Sequence, residues 1–226
     1  MTVRAVFFDV GETLVDETRS WAAWADWLGV PQLTLFAILG GVIERGEHHL
    51  RAFEIVRPGF DYPRAEAARA AVANLAGFAR EDLYPDAIPC LEALRAGGYF
   101  VGVAGNQTAR FARTIEELGL PVDAIASSAA WGVAKPSPAF FARVAATAGL
   151  PLGQIAYVGD RLDHDVLPAR AAGMLAVFLR RGPWGYLHAA RSDAAQAHIR
   201  LESLLELPDA LEHHRADDPT TRKDAP

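Results

Sequence analysis

Short apolar runs, separated by amphipathic stretches, recur along most of the chain. Four of them predict buried strands, at residues 3–8, 99–104, 155–158 and 175–179. A weaker run at 124–127 predicts a fifth strand. Helical patterns lie between the runs, at 86–96, 107–118, 138–148 and 163–172. Strands that alternate with helices form a parallel sheet covered on both faces, so this pattern predicts an α/β fold with a central parallel sheet.

Residues 17–83 differ from the rest because they contain no β-rich run. Helical stretches are predicted there, at 18–28, 32–43, 47–56 and 63–79. We therefore predict a small all-α cap at residues 17–83, lying over the strand ends of a discontinuous core formed by residues 1–16 and 84–212. The polar residues 213–226 are predicted to be a disordered tail.

Three tryptophans lie three residues apart in the first helix of this cap: Trp21, Trp24 and Trp27. At 3.6 residues per turn they cover a broad face of the helix. This spacing predicts packing between the cap helices or, alternatively, an apolar wall over a ligand site.

The composition is that of an ordinary soluble globular chain of 226 residues, 51% hydrophobic and 22% charged. No apolar run reaches the length of a membrane span, and the net charge of −6 argues against nucleic acid as a partner. The only cysteine, Cys90, lies in a predicted helix, where we expect a buried free thiol. With no internal disulfide to form, the protein is expected to be cytoplasmic.

Aspartates follow two of the predicted strands. Asp9 follows the first strand and Asp160 follows the strand at 155–158, while Asp165 comes five positions later. Because the carboxyl ends of parallel strands lie at one edge of a sheet, we expect the three carboxylates to converge there. They would repel one another unless a cation lay among them, and oxygen ligands favour Mg²⁺. A simple helix cap at Asp160 is the alternative interpretation.

Lysine is rare in this chain, which has two lysines and twenty arginines. Lys223 lies in the polar tail, whereas Lys135 lies just before the predicted helix at 138–148. A lysine at position 135 can neutralise Asp9 or a bound phosphate as a compact charge; an ordinary surface lysine is the alternative.

The strand at 99–104 runs through Gly105 and Asn106 into the start of a predicted helix. Backbone N–H groups at such a start can form an anion site. Asn106 could equally be the N-cap of that helix.

These four segments, around Asp9, Asn106, Lys135 and Asp160, resemble in type and order the four motifs of the haloacid dehalogenase (HAD) superfamily of hydrolases. The helical insertion is similar to the cap that members of this family carry directly after the first motif. The resemblance covers roughly residues 1 to 210 and implies a Rossmann-like core. It also implies a Mg²⁺-dependent phosphatase that acts on a small phosphorylated metabolite. The oligomeric state stays open between a monomer and a homodimer.

The same resemblance implies roles for single residues. Asp9 would attack phosphorus and form an aspartyl-phosphate, and Lys135 would steady Asp9 and the phosphoryl oxygens. Gly105 and Asn106 would lie at the phosphate. The implied metal ligands are Asp9, the backbone carbonyl of Gly11, Asp165, and Asp160 directly or through water.

Two glycines depart from the family pattern. Gly11 stands where the phosphatases usually carry an aspartate that protonates the leaving group, and Gly105 stands where they carry a phosphate-binding serine or threonine. Glu12 or the pair His48-His49 could replace the missing acid, whose contribution is typically about 10²–10⁴-fold. Otherwise the leaving group needs no proton, as in an acyl phosphate, or turnover is slow or lost.

Two further functions are therefore considered. One is a catalytically weak protein of this family that binds a phosphorylated ligand or a protein partner, an alternative that Gly11 and Gly105 keep open. The other is a metal-free dehalogenase that uses Asp9 to displace halide. That subgroup carries an aromatic residue at the position of Gly11, which counts against it.

Overall fold

The computed structural model of the protein describes residues 2–71 and 78–216. Six strands in these ranges form one sheet: β1 Ala5–Phe8, β2 Phe100–Gly105, β3 Ala124–Ser127, β4 Ile155–Gly159, β5 Leu175–Leu179 and β6 Ile199–Leu201. Every neighbouring pair is parallel, and the strand order is β3-β2-β1-β4-β5-β6. The predicted α/β fold with a central parallel sheet is confirmed. The sequence did not predict β6, which has only three residues, with an arginine at its centre.

The described ranges also contain eleven α-helices. They are α1 Thr18–Leu28, α2 Gln32–Glu44, α3 Arg51–Val56, α4 Tyr62–Ala70, α5 Ala87–Ala96, α6 Ala109–Glu117, α7 Ser128–Trp131, α8 Pro138–Ala148, α9 Leu167–Ala171, α10 Gly182–Ala189 and α11 Leu207–Ala216. All but the first four follow or precede strands of the sheet, as the alternating pattern predicts.

The sheet separates two apolar layers, because alternate residues of a strand point to opposite faces. In β1, Val6 and Phe8 belong to the layer that α5 and α11 cover. Ala5 and Phe7 belong to the other layer, which α8 and α9 cover. All four side chains are fully buried, so the strand can extend without interruption to Asp9 at the sheet edge.

Helices α1 to α4 form the helical segment that the sequence predicts after β1. Trp24 lies edge-on to Phe53 with ring centroids 4.9 Å apart, and Tyr62 lies 5.0 Å from the same tryptophan. Trp184 of α10 belongs to the same apolar cluster, so the segment packs onto the α/β core through apolar side chains. The cap boundaries at residues 17–83 stay a prediction.

Two helices of this segment differ from the prediction. α3 begins at Arg51 and not at residue 47, because residues 47–50 form an irregular segment and a turn ahead of it. α4 ends at Ala70, and part of the predicted helix 63–79, residues 72–77, lies outside the described residues.

Two core helices also differ. α9 is shorter than predicted, because the segment before it, Leu162–Val166, forms a π-helical turn. α11 continues to Ala216, so the prediction that the tail begins at residue 213 was wrong by a helical turn. Residues 217–226 lie outside the described ranges.

No single helix in the described ranges is long and apolar enough to cross a membrane. α1 and α2 reach the necessary length and composition only together, and they are bent by 112° at the break between them. Their residues Leu28, Leu35 and Leu39 are buried in the same cluster as Trp24.

Gly102 in β2 tests the close packing of this sheet. A Cβ at Gly102 would lie 2.3 Å from the ring of Phe7, which is fully buried. We expect Gly102→Ala to lower the free energy of unfolding by about 1–3 kcal/mol, because the ring would have to move in a close-packed core. Urea denaturation followed by circular dichroism measures the change.

Gly40 in α2 provides the matched control, since nothing lies within 4 Å of the position of its Cβ. Gly40→Ala is expected to raise the free energy of unfolding by about 0.5–1 kcal/mol through helix propensity. A Gly102→Ala protein as stable as the wild type would contradict the packing of Phe7 described above.

Candidate active site

The carboxyl ends of β2, β1 and β4 lie side by side where the direction of the strand order reverses. β1 pairs with β2 on one side and with β4 on the other. In open α/β sheets, ligands bind at such a switch point. Gly105, Asp9 and Asp160 stand at these three strand ends. Oxygens of Asp9, Asp160 and Asp165 all lie within 4.8 Å of one another, so the structure brings the three predicted aspartates together.

Lys135 joins two of these aspartates from the segment between α7 and α8. Its Nζ donates hydrogen bonds to Oδ1 of Asp9 and to Oδ1 of Asp165, each at 2.6 Å. Burial alone would lower the pKa of Lys135, but Asp165 and Asp9 raise that pKa well above its ordinary value. The side chain is only 3% exposed, so a buried ammonium lies between two carboxylates. The alternative of an ordinary surface lysine was wrong.

Asp165 is fully buried and bonded at both oxygens. Its Oδ1 accepts the hydrogen bond from Lys135, and its Oδ2 accepts one from the backbone N–H of Arg161 at 3.0 Å. Burial raises the pKa of Asp165 to about 6, although Lys135 acts in the opposite direction. A Cβ on Gly159 would lie 2.4 Å from the carboxyl carbon of Asp165. The glycine at the end of β4 therefore leaves the space that this carboxylate occupies.

Asp160 is buried at the same sheet edge without such partners. Neither of its carboxylate oxygens has a hydrogen-bond partner among the described residues. Burial raises the pKa of Asp160 well above its ordinary value, and the neighbouring Asp165 and Asp9 raise it further. A buried carboxylate of this kind is unfavourable unless a cation compensates its charge.

The charges of the cluster leave a deficit of positive charge. Three carboxylates and one ammonium give a net formal charge of −2 when every carboxyl group is ionised. One divalent cation would neutralise this charge. Because all of the available donors are oxygens and those of Asp160 are unpartnered, the residues present fit Mg²⁺.

Asn106 holds the backbone of Lys135 in place. Its Nδ2 donates to the carbonyl of Lys135 at 2.9 Å, and its Oδ1 accepts the N–H of Lys135 at 2.8 Å. α6 begins only at Ala109, so the alternative interpretation of Asn106 as a helix N-cap was wrong. A Cβ on Gly105 would lie 2.8 Å from Oδ1 of Asp9, so the carboxylate of Asp9 occupies the space that a side chain at position 105 would fill. Phosphate binding by Gly105 and Asn106 stays a prediction.

Glu12 also lines the cavity, but its side chain is held by neighbouring groups. Its Oε2 accepts the hydroxyl of Tyr84 at 2.6 Å, and its Oε1 accepts the N–H of Glu17 at 3.1 Å. The backbone at Glu12 has a φ of 54°, and a Cβ on Gly182 would lie 2.4 Å from Oε2 of Glu12. Both carboxylate oxygens are therefore engaged, which leaves Glu12 poorly placed to replace an acid at position 11.

Glu17, which the sequence did not single out, lies beside Gly11. A Cβ at Gly11 would be 2.4 Å from Oε1 and 2.8 Å from the carboxyl carbon of Glu17. Its Oε2 accepts the indole N–H of Trp21 at 3.3 Å. Burial raises the pKa of Glu17 to about 8, and the nearby Glu12 adds to the shift. A carboxyl group with a raised pKa thus stands next to the residue two positions after Asp9.

A cavity of about 740 Å³ lies between the helical segment and the strand ends. Asp9 and Lys135 line it on the side of the sheet, and Trp21, Trp24 and Phe53 line it on the side of the helices. Trp21 stacks on Phe53 with centroids 5.8 Å apart. Packing between the helices is therefore confirmed for these tryptophans, and Trp27 packs against the same apolar cluster without lining the cavity. An apolar wall over a bound ligand stays a prediction for Trp21 and Trp24.

His48 and His49 line the same cavity from the segment before α3. The ring of His49 lies edge-on to Trp21 and to Trp184, with centroids 6.2 Å apart in both pairs. Burial lowers the pKa of His49 to about 3, so its imidazole is neutral near pH 7. A neutral imidazole is a weak acid, which leaves His49 a poor source of a proton for a leaving group.

A parallel sheet with this switch-point cluster and an all-helical segment after the first strand is the architecture of one hydrolase class. The model of the haloacid dehalogenase-like hydrolases matches residues 3–173. The chain therefore belongs to the haloacid dehalogenase-like hydrolase family, and the resemblance inferred from the four motifs is confirmed.

Curated relatives in this family carry the name glyceraldehyde 3-phosphate phosphatase. The chain is 32% identical over 200 residues to the one from Methanopyrus kandleri, a match that covers 80% of this chain and 86% of the relative. It is 30% identical over 137 residues to the one from Methanocaldococcus jannaschii, covering 59% of this chain and 58% of the relative.

Solved structures share the fold at lower sequence identity. A HAD hydrolase from Bacillus subtilis bound to magnesium superposes with a TM-score of 0.70 at 17% identity, over 93% of this chain and 99% of the other. A HAD phosphatase from Thermococcus onnurineus gives 0.61 at 23% identity, over 92% and 98%. A 2-haloacid dehalogenase from Pseudomonas syringae gives 0.59 at 23% identity, over 94% and 99%. Phosphatases and dehalogenases are both among these neighbours, so the fold alone does not separate the two reactions.

Substitution of Lys135 tests how much its ion pairs with Asp9 and Asp165 contribute to stability. We expect Lys135→Met to lower the free energy of unfolding by about 3–5 kcal/mol in metal-free buffer, because buried carboxylates lose their only cationic partner among the described residues. Lys135→Arg should also be destabilised, since a planar guanidinium does not reproduce two contacts to one ammonium. Urea denaturation in the presence of a chelator measures both changes.

Arg45→Met is the matched control, because it removes an exposed cation that pairs with Glu47. Little change in stability is expected from the loss of such a surface pair. A Lys135→Met protein as stable as the control would show that the buried contacts contribute nothing to folding.

Proposed function

We propose that this protein is a Mg²⁺-dependent phosphatase that acts on a small phosphorylated metabolite through an aspartyl-phosphate on Asp9. The observation that carries the proposal is the position of Asp9. Its carboxylate lies at the cavity, 2.6 Å from the Lys135 ammonium and within 4.8 Å of oxygens of Asp160 and Asp165. This arrangement offers a nucleophile, a cation and an acidic metal site within one cluster.

The ligands for Mg²⁺ would be Asp9, the backbone carbonyl of Gly11, Asp160 and Asp165. When bound there, the ion would supply charge neutralisation to the phosphoryl oxygens. The unpartnered oxygens of Asp160 support this assignment, since they are otherwise buried without compensation.

The chain's own residues would divide the remaining work. Lys135 orients the carboxylate of Asp9 toward the substrate and balances negative charge as the phosphoryl group is transferred. Asn106 keeps Lys135 in position through its two backbone hydrogen bonds. In phosphoryl transfer, positioning and charge neutralisation of this kind supply most of the catalysis.

Relatives named glyceraldehyde 3-phosphate phosphatase support a small phosphate ester as the substrate. The cavity of about 740 Å³ lies in the usual range for small-molecule sites. Its aromatic wall, formed by Trp21, Trp24 and Phe53, would exclude water from the substrate once it is bound.

The metal-free dehalogenase is a less favoured function, because displacement of halide by Asp9 does not require two further carboxylates to converge on it. A binding protein without turnover is also less favoured. The nucleophile, its lysine and the acidic cluster are all present and in contact, as a catalytic site requires.

Asp9→Asn tests the nucleophile. We expect phosphate release to fall to background, because an amide cannot form the covalent intermediate. The measurement is phosphate release from glyceraldehyde 3-phosphate, other small phosphate esters, acyl phosphates and p-nitrophenyl phosphate, with and without Mg²⁺. Asp26→Asn, which alters an exposed aspartate of α1, is the control expected to keep the wild-type rate.

The other functions would give different results in the same assay. Release of chloride from 2-chloropropionate without Mg²⁺ would favour a dehalogenase. A wild-type protein that binds Mg²⁺ and releases no phosphate from any compound would favour a binding role.

Asp160→Asn tests the metal site by stability, independently of turnover. Mg²⁺ at about 100 times its dissociation constant should stabilise the wild type by about 2.7 kcal/mol, and most of this gain should be lost in the variant. In a chelator the variant should be at least as stable as the wild type, because an unpartnered buried charge has been removed. Thermal unfolding with Mg²⁺ or with EDTA measures both effects. An undiminished Mg²⁺ effect in Asp160→Asn would contradict the proposed ligand set.

A further inference from the structure

Hydrolysis of a phosphate ester requires proton transfer at two stages. The alkoxide that leaves phosphorus needs a proton, and the water that later attacks the aspartyl-phosphate must lose one. The nucleophile itself cannot do this while it is bonded to phosphorus. A second titratable group must therefore reach the leaving oxygen from the wall of the cavity.

Most carboxyl groups around Asp9 are already engaged. The ammonium of Lys135 bonds both Asp9 and Asp165, and Asp160 belongs to the group of oxygens that fits a cation. Glu12 accepts hydrogen bonds at both oxygens, from the Tyr84 hydroxyl and from a backbone N–H. None of these four carboxylates is arranged to hand a proton to a bound ester.

Glu17 is arranged differently. Among the hydrogen bonds of the described residues, its carboxyl group accepts one, at Oε2 from the indole of Trp21. Oε1 lies against Gly11, 2.4 Å from the point where a Cβ would stand. Asp9, Gly11 and Glu17 line the same cavity, so this carboxyl group faces the same space as the nucleophile.

The backbone fixes Glu17 at this point. Residues 10–15 form a tight turn in which the N–H groups of Thr13, Leu14 and Val15 all bond the carbonyl of Val10. After this turn the chain runs back past the beginning of the turn, and the backbone N–H of Glu17 donates a hydrogen bond to the side chain of Glu12. The indole of Trp21, one helical turn later, holds the carboxyl end of the same side chain.

We propose that Glu17 is the general acid and general base of this hydrolase, acting from the space that a side chain at position 11 would fill. This inference rests on the proposed phosphatase function and adds one catalytic residue to it. The proposal also explains why residue 11 is a glycine, since any side chain at that position would displace the carboxyl group of Glu17.

The proposed proton path balances over the two steps. In the first, a bond forms between an Asp9 oxygen and phosphorus, the bond from phosphorus to the ester oxygen breaks, and the carboxyl group of Glu17 gives its proton to that oxygen. In the second, the Glu17 carboxylate takes a proton from water as the water oxygen bonds phosphorus. The bond from Asp9 to phosphorus then breaks, which releases inorganic phosphate and restores protonated Glu17.

Glu17→Gln separates this role from a structural one, because glutamine keeps the volume and an acceptor for Trp21. With glyceraldehyde 3-phosphate, or the best alkyl ester found for the wild type, kcat should fall by about 10²–10⁴-fold. With p-nitrophenyl phosphate the first step needs no acid, because nitrophenolate leaves as an anion. The variant should then release a burst of about one nitrophenolate per active site, followed by slow turnover, since the second step lacks its base.

The controls use residues outside the cluster. Asp16→Asn alters the neighbouring carboxylate, which accepts the N–H of Thr18 at 2.8 Å, and it should keep wild-type rates on both compounds. Glu17→Gln should also keep the stabilisation by Mg²⁺, which shows that the fold and the acidic cluster are intact.

A second pair of variants moves the carboxyl group. Glu17→Ala empties the space beside Gly11, and Gly11→Asp/Glu17→Ala places a carboxyl group there from position 11. Ester turnover should be lost in the single variant and partly recovered in the double variant. A folded double variant no more active than Glu17→Ala would count against the proposal.

Two further results would overturn the role of Glu17. One is ester turnover by Glu17→Gln near the wild-type rate. The other is an equal loss on both compounds without a burst, which would show that Glu17 shapes the site but transfers no proton. Failure of the phosphatase function itself is distinguishable, because the wild type would then release no phosphate that depends on Asp9.

Discussion

The ammonium of Lys135, buried between Asp9 and Asp165, is the contact on which the site depends. Without it, the acidic strand ends would bring like charges together in a region with little water. The surrounding structure serves this contact: Asn106 fixes the backbone of the lysine, and the absence of a side chain at Gly159 leaves room for Asp165. One ammonium offsets only part of the negative charge, so the fold retains a deficit that a divalent cation would remove.

The sheet and the helical segment contribute different physical properties to the cavity. The strand ends supply charged groups, whereas the helical segment supplies aromatic surface, including Trp21 and Trp24. Apolar walls lower the local dielectric constant and strengthen electrostatic interactions at the floor. The same walls explain the shifted pKa values of Glu17 and His49, for which burial is the largest cause. The helical segment thus shifts these pKa values by enclosing the two groups, and through the indole of Trp21 it also bonds Glu17 directly.

The sequence predicted the sheet and the aspartate cluster because both follow from local patterns. Buried parallel strands are nearly continuous apolar runs, and a polar residue directly after such a run must lie at the sheet edge, as Asp9 and Asp160 do. The position of Asn106 opposite Lys135 depends on a contact between segments 29 residues apart, which no local pattern encodes. Glu17 could not be predicted as a site residue for a similar reason. Its position against Gly11 depends on a tight turn of the chain, which no local pattern encodes.

Gly11 and Glu17 are best understood as one structural unit. The carboxyl carbon of Glu17 lies 2.8 Å from the point where a Cβ on residue 11 would stand, so the two positions compete for one space. Substitutions at these positions should therefore be non-additive, as expected for residues in contact. An aspartate at position 11 would be harmful while Glu17 is present and useful once it is absent. Under the proposed role of Glu17, the glycine that breaks the sequence motif does not remove the carboxyl group from the site, because that group enters the same space from another part of the chain.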